Sequence, residues 1–293
     1  MPHTKFKGTG VAIVTPFDKK GNVDLKGLTN LVNHLVKGKV EYLVVMGTTG
    51  ESATLSKDEK LLAMDCVIRA NKKRVPLVLG IGGNNTQEVI DTIKHTNLKD
   101  FDAILSVSPY YNKPSQRGIY EHYKAIAKST KLPIILYNVP GRTASNITAE
   151  TTLKLAHKFK NIIAVKEASG NIEQCMAIIE NKPKDFLVIS GDDNLTLPLL
   201  ACGADGVISV VANAFPKDFS DMVRSGLKGD FATARKLHYK TFEITQQLFA
   251  DGNPGGVKHA LALLKVCDAY LRLPLVEPNE AVQKKLKELV EKY

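Results

Sequence analysis

Eight short runs of β-branched and apolar residues, each followed by a stretch with helical spacing, recur along the chain. The runs cover residues 11–14, 42–45, 77–79, 103–107, 134–137, 162–165, 187–189 and 206–210. The helical stretches fall at about 25–36, 57–70, 86–97, 119–128, 149–158, 172–179 and 195–201, with an eighth near 218–225. Regular alternation of strand and helix predicts a parallel sheet, since parallel neighbours need a long crossover. Runs such as Ile162-Ile163-Ala164-Val165 have no polar side, which fits strands covered on both faces. An open doubly wound sheet alternates too, but a dinucleotide-binding one carries Gly-x-Gly-x-x-Gly after its first strand. Here that turn reads Thr15-Pro16-Phe17-Asp18. Eight units point instead to a (β/α)8 TIM barrel over residues 1–225. Residues 226–293 read as three further helices, around 230–249, 256–269 and 279–292, packed on the barrel. Ser56 with Glu59 spells a capping box, and Thr148 is placed to cap the helix that begins Ala149-Glu150.

Composition narrows the class. Hydrophobic residues make up 44% of the 293, enough for a large core, and no apolar run reaches the length of a membrane helix. The N-terminal Met-Pro-His-Thr-Lys-Phe-Lys is charged with no apolar segment behind it, so a soluble, non-secreted, cytoplasmic protein is expected. The formal charge of +10 is scattered, with short clusters such as Lys72-Lys73-Arg74 and no aromatic interleaving. It reads as a solvated surface, and no nucleic acid and no membrane partner is expected. Cys66, Cys175, Cys202 and Cys267 lie far apart without metal-ligand spacing, as in a reducing compartment.

In a barrel of this kind the chemistry sits at the C-terminal ends of the strands. Those positions read Gly47-Thr48-Thr49-Gly50-Glu51, Gly80-Ile81-Gly82-Gly83-Asn84, Pro109-Tyr110-Tyr111-Asn112, Tyr137-Asn138-Val139-Pro140-Gly141-Arg142, Lys166-Glu167 and Ser190-Gly191-Asp192-Asp193. Lys166 closes a fully apolar strand. A strand-end lysine can simply reach to solvent. It can also be a Schiff-base lysine, because burial disfavours the ammonium and the free amine is the form that attacks a carbonyl. Tyr137, one strand earlier, is either a core aromatic or a proton carrier for that step. Gly47-Thr48-Thr49-Gly50 is a tight turn whose N–H groups could also hold a carboxylate. Arg142 is either surface charge or a fork for a substrate carboxylate. No strand ends in His and no His/Cys/Asp cluster reads as a metal site. Proton transfer then falls to Tyr and Thr hydroxyls, and no metal or cofactor is required.

Four segments resemble signatures of the pyruvate-dependent class I aldolase (N-acetylneuraminate lyase) superfamily, and within it the dihydrodipicolinate synthase family. They are Gly47-Thr48-Thr49-Gly50-Glu51-Ser52-Ala53-Thr54-Leu55, Ser108-Pro109-Tyr110-Tyr111-Asn112-Lys113-Pro114, Tyr137-Asn138-Val139-Pro140-Gly141-Arg142-Thr143 and Val165-Lys166-Glu167-Ala168. The resemblance implies condensation of pyruvate with L-aspartate 4-semialdehyde through an imine on Lys166, in lysine and diaminopimelate biosynthesis. It implies a proton relay of Tyr137, Thr48 and Tyr111, with Tyr111 reaching in from a neighbouring subunit of a homotetramer built as a dimer of dimers. Thr49 would hold the pyruvate carboxylate, Arg142 would receive the semialdehyde carboxylate, and Gly191 and Ile208 would line the pyruvate pocket. Sugar-acid lyases and aldolases of the superfamily share the lysine but usually lack an Arg like Arg142, and they are the alternative. Ser52, Ala53, Asn84, Glu88 and Tyr110 match the family's lysine-effector site. Two nearby positions that often hold His in lysine-sensitive members are Lys57 and Lys60 here, which predicts weak feedback by L-lysine. The segment Asn253-Pro254-Gly255-Gly256-Val257-Lys258 is richer in glycine than the family pattern and predicts a looser connection near the rim.

Overall fold

The computed structural model describes residues 3–293. Met1 and Pro2, which begin both the predicted barrel segment and the charged N-terminal stretch, lie outside the described residues. Eight parallel strands close into a barrel in sequence order: β1 (Gly8–Ala12), β2 (Tyr42–Val45), β3 (Leu77–Gly80), β4 (Ala103–Val107), β5 (Ile134–Asn138), β6 (Ile162–Glu167), β7 (Leu187–Ser190) and β8 (Gly206–Ser209). The helices of the outer layer are α1 (Leu25–Lys37), α2 (Lys57–Asn71), α3 (Thr86–His95), α4 (Gln116–Ser129), the short α5 (Pro140–Thr143), α6 (Ala149–Lys158), α7 (Ile172–Asn181), α8 (Thr196–Ala201) and α9 (Pro216–Leu227). Three more follow: α10 (Phe231–Phe249), α11 (Gly255–Leu263) and α12 (Glu280–Lys292). Among the described residues, no helix is long and apolar enough to cross a membrane.

Seven of the eight predicted strands coincide with the observed ones to within a residue or two. The first does not. Pairing begins at Gly8, opposite Gly206, and ends at Ala12, whereas the sequence suggested 11–14. Glycine is a poor strand former on propensity, so the Gly8-Thr9-Gly10 segment was unreadable as a strand. Here the missing side chains are the requirement. A Cβ on Gly10 would lie 2.1 Å from the Tyr42 ring, and one on Gly206 would lie 2.1 Å from the Gly8 carbonyl oxygen. Tyr42 thereby fills the barrel floor, edge-on to Phe6 with ring centroids 5.6 Å apart.

Apolar side chains form two layers. Leu43, Val45, Leu79, Ile104 and Leu136 face outward into the helices, while Tyr42, Val44, Val78, Leu105 and Ile135 fill the barrel interior. This is the period-two alternation of strands with both faces covered. The helices meet the outer layer along one stripe. In α1, Leu28, Leu31, Val32 and Leu35 are buried, and Asp24 accepts from the Gly27 N–H at 3.0 Å to cap it. The Ser56–Glu59 capping box and the Thr148 cap both form as the sequence predicts.

α11 stops at Leu263, six residues before the predicted end. Lys265 takes a left-handed backbone, and the Val266 N–H returns to the Leu261 carbonyl at 3.0 Å, closing the helix. The glycine pair that opens the helix is also no loose connection. Gly255 and Gly256 are buried, and a Cβ on Gly256 would lie 2.3 Å from the Leu248 carbonyl oxygen. The second glycine lets the start of α11 press directly on the end of α10.

Candidate active site

Lys166 reaches the barrel interior because β6 carries one extra residue. Ile134 pairs with Ile162 but Ile135 pairs with Ala164, so Ile163 bulges. Ile162 and Val165 belong to the outer layer, whereas Ile163 and Ala164 both belong to the inner one. The bulge thus reverses the alternation, and Lys166 falls on the inward phase. Without it, the strict period of two would send Lys166 to the helix side and Glu167 inward.

The lysine is 5% exposed. Its Nζ stands 4.3 Å from the centroid of the Tyr137 ring, on the neighbouring strand and in direct register. Among the described residues it makes no ion pair, so the ring face is the group that meets it. Gly191, after β7, is held by an N–H to the Glu167 carbonyl at 2.7 Å. A Cβ there would come within 3.1 Å of Lys166 Cε, so Gly191 keeps space for the lysine stem. Ile208 is buried in the same inner cluster, from β8. Glu167 points outward, where it accepts from the Asn138 amide (3.0 and 3.1 Å), the Gln174 amide (2.9 Å) and the Ser169 N–H (2.9 Å). Asp193 ties the rim after β7 to that after β8 by accepting from the Val210 and Val211 N–H groups at 3.0 and 3.3 Å. Its full burial pushes its carboxyl up to about 6.

Gly47-Thr48-Thr49-Gly50 forms a single 3-10 turn, Thr48–Gly50, ending on Glu51 in a left-handed backbone with φ 51°. Thr48 lines a cavity of about 800 Å³ together with Tyr137. Thr49 is buried, and its hydroxyl accepts from the Asn253 side-chain amide at 3.1 Å. Ser52, Asn84, Glu88 and Tyr110 line the same cavity, as do Lys57 and Lys60, whereas exposed Ala53 is not part of its wall. Four of the five predicted effector residues therefore open onto the same space as Thr48 and Tyr137.

Two predicted residues stand apart within the single chain. Arg142 lies exposed on α5, and its guanidinium makes no ion pair among the described residues. Tyr111 is 88% exposed, on a left-handed backbone at φ 72°. Its side chain is not brought to Lys166 within the single chain.

Behind the turn lies a buried ion pair that local sequence patterning does not reveal. Glu51 and Lys258 form it, and both side chains are fully buried. Lys258 also donates to the Tyr270 carbonyl at 2.8 Å, and its Nζ sits 4.2 Å from the centroid of the Phe17 ring. Glu51 accepts from the Arg272 N–H at 3.2 Å. Burial lowers the Lys258 amine from its ordinary value, against the pull of Glu51. The helices beyond the barrel thereby clamp the Gly47–Glu51 turn. An Asn-Pro followed by Lys was the visible signal, but its meaning needed the fold.

The profile of the dihydrodipicolinate synthetase family matches residues 5–293. The 4-hydroxy-tetrahydrodipicolinate synthase of Flavobacterium psychrophilum is 54% identical over 281 residues, covering 96% of each chain. The crystal structure of dihydrodipicolinate synthase from Aquifex aeolicus superposes with a TM-score of 0.95 at 41% identity, covering 98% of each chain. The lysine-bound structure of the enzyme from Cyanidioschyzon merolae superposes at 0.94 with 38% identity, also over 98% of each chain.

Proposed function

The chain belongs to the dihydrodipicolinate synthetase family, and from that premise we propose how its residues divide the work. Its reaction is the class I aldolase-type condensation of pyruvate with L-aspartate 4-semialdehyde to 4-hydroxy-tetrahydrodipicolinate, in lysine and diaminopimelate biosynthesis. The observation that carries the assignment of roles is the buried Lys166 amine, unpaired and facing the Tyr137 ring at 4.3 Å.

Lys166 attacks the pyruvate ketone, and loss of water gives the imine. A methyl proton leaves to form the enamine, whose carbon bonds to the aldehyde carbon while the aldehyde oxygen takes a proton. The α-amino group that the semialdehyde carries attacks the imine carbon, the ring closes, and the bond to Lys166 breaks to return the lysine amine. Tyr137, Thr48 and Tyr111 carry the protons. The exposure of Tyr111 supports its reaching the site of a neighbouring subunit, in a homotetramer built as a dimer of dimers. Thr49 holds the pyruvate carboxylate beside Gly191 and Ile208. The imine supplies the electron sink, so no cofactor or metal enters. The four unpaired cysteines support a reducing, cytoplasmic setting.

Arg142 receives the semialdehyde carboxylate, which its exposed position at the rim and a guanidinium without an ion pair among the described residues support. Arg142→Ala is expected to lower kcat/KM for the semialdehyde by about a hundredfold, as loss of a charge-assisted pair would, with the pyruvate KM little changed. Steady-state assays varying each substrate check this. Turnover of N-acetylmannosamine with pyruvate, and none of the semialdehyde, would reverse the aldehyde assignment.

Ser52, Ala53, Asn84, Glu88 and Tyr110 form the effector region, and Lys57 and Lys60 place two ammonium groups in the wall of the cavity that Ser52, Asn84, Glu88 and Tyr110 line. Like charges repel a cationic amino acid that enters this cavity. Weak or absent inhibition by L-lysine is therefore expected, read from rates across a titration. Half-maximal inhibition at submillimolar L-lysine is the contrary result.

A further inference from the structure

We infer that Asn253, from outside the barrel, is a positioning residue that sets the hydroxyl of Thr49 as a hydrogen-bond donor toward the pyruvate carboxylate. This rests on the assignment of Thr49 to that carboxylate. The geometry behind it is simple. A threonine hydroxyl has one hydrogen to give, and in a helical turn it commonly spends it on a carbonyl three or four residues earlier. Several threonines of this chain do so: Thr29 to the Leu25 carbonyl (2.8 Å), Thr54 to that of Glu51 (3.0 Å) and Thr245 to that of Thr241 (2.7 Å).

Thr49 does not. Its hydroxyl oxygen instead accepts from the Asn253 amide N–H at 3.1 Å, and among the described residues that is its sole hydrogen bond. With the oxygen occupied as an acceptor, the hydrogen remains unspent, and Thr49 is 3% exposed with little water to take it. A carboxylate seated beside the turn is the acceptor that fits. The backbone that carries the amide is held from behind, because α11, which begins two residues later, carries Lys258, and Lys258 is anchored to Glu51 at the end of the same turn. The turn and the residue that orients its threonine are thus held by one buried ion pair.

The test is a kinetic cycle in the full-length protein with Thr49→Val, Asn253→Ala, the double variant and Asn253→Asp. Asn253→Ala is expected to raise the pyruvate KM about tenfold, the worth of a hydrogen bond to a charged group, while leaving kcat and the semialdehyde KM near the parent's. In the Thr49→Val background the same change should add less than about twofold, since the hydroxyl it orients is gone. Asn253→Asp is nearly isosteric and carries the test if the alanine variant does not fold. Its carboxylate can only accept, so it takes the Thr49 hydrogen and repels the substrate, and the pyruvate KM should rise further. A parental pyruvate KM in Asn253→Asp overturns the inference, as does an Asn253→Ala effect of equal size with and without Thr49. If Thr49→Val itself leaves the pyruvate KM unchanged, the Thr49 assignment fails and the inference with it. The two failures differ in whether pyruvate binding responds to Thr49.

Discussion

Lys166→Ala is expected to lower kcat by at least about ten-thousandfold and to abolish the adduct that borohydride forms between the protein and pyruvate. Loss of a covalent nucleophile removes a whole reaction path rather than one stabilising contact, which is why the effect is of that order. The fold should survive, because Lys166 makes no ion pair and no hydrogen bond among the described residues whose loss would strand a buried partner. The intact mass after reduction, read beside the turnover rate, decides it. A pyruvate adduct retained in Lys166→Ala would place the chemistry on another lysine. Lys258 would be the first suspect on burial alone, but its amine is committed to Glu51 and to the Tyr270 carbonyl.

That commitment leads to the second large effect, on stability. Replacing Lys258 by Met keeps much of the side-chain volume but leaves the Glu51 carboxylate fully buried without its cation. Breaking one side of such a pair costs about 3–5 kcal/mol. For a chain of this size that lowers the melting temperature by roughly 10 °C. The double variant Glu51→Gln with Lys258→Met removes both charges and should recover most of the loss, because the penalty belongs to the orphaned carboxylate rather than to the missing attraction. Chemical denaturation of the three proteins checks this. A Lys258→Met protein as stable as its parent would mean that Glu51 finds another donor or takes up a proton.

The barrel was legible because its periodicity is local. Each apolar run and each amphipathic stretch announces itself within a dozen residues, so seven strands and the capping residues Ser56 and Thr148 could be placed directly. β1 failed where tertiary packing overrides propensity: Gly10 is a strand residue because the Tyr42 ring occupies the space of its missing side chain, and Gly8 packs its backbone against Gly206 of β8. The β6 bulge was hidden for a different reason. Ile162-Ile163-Ala164-Val165 is apolar throughout, so no change of phase shows in its pattern, and the inward turn of Lys166 could not be deduced from it. Motif resemblance supplied the residue without the geometry that aims it. Asn253, Lys258 and Arg272 were beyond reach because they act on a turn near the start of the chain; Asn253 and Thr49 are 204 residues apart.

The same long-range clamp bears on the order in which the protein is made. During synthesis, β1 to β8 emerge with Glu51 and Thr49 already in place, but their partners Asn253, Lys258 and Arg272 are still to come. A nascent barrel that closed at this stage would bury the Glu51 carboxylate with no counter-charge, a cost that is lifted only when α11 and the segment after it arrive. The Gly47–Glu51 turn is thus completed last, after the strands that bear Lys166 and Tyr137.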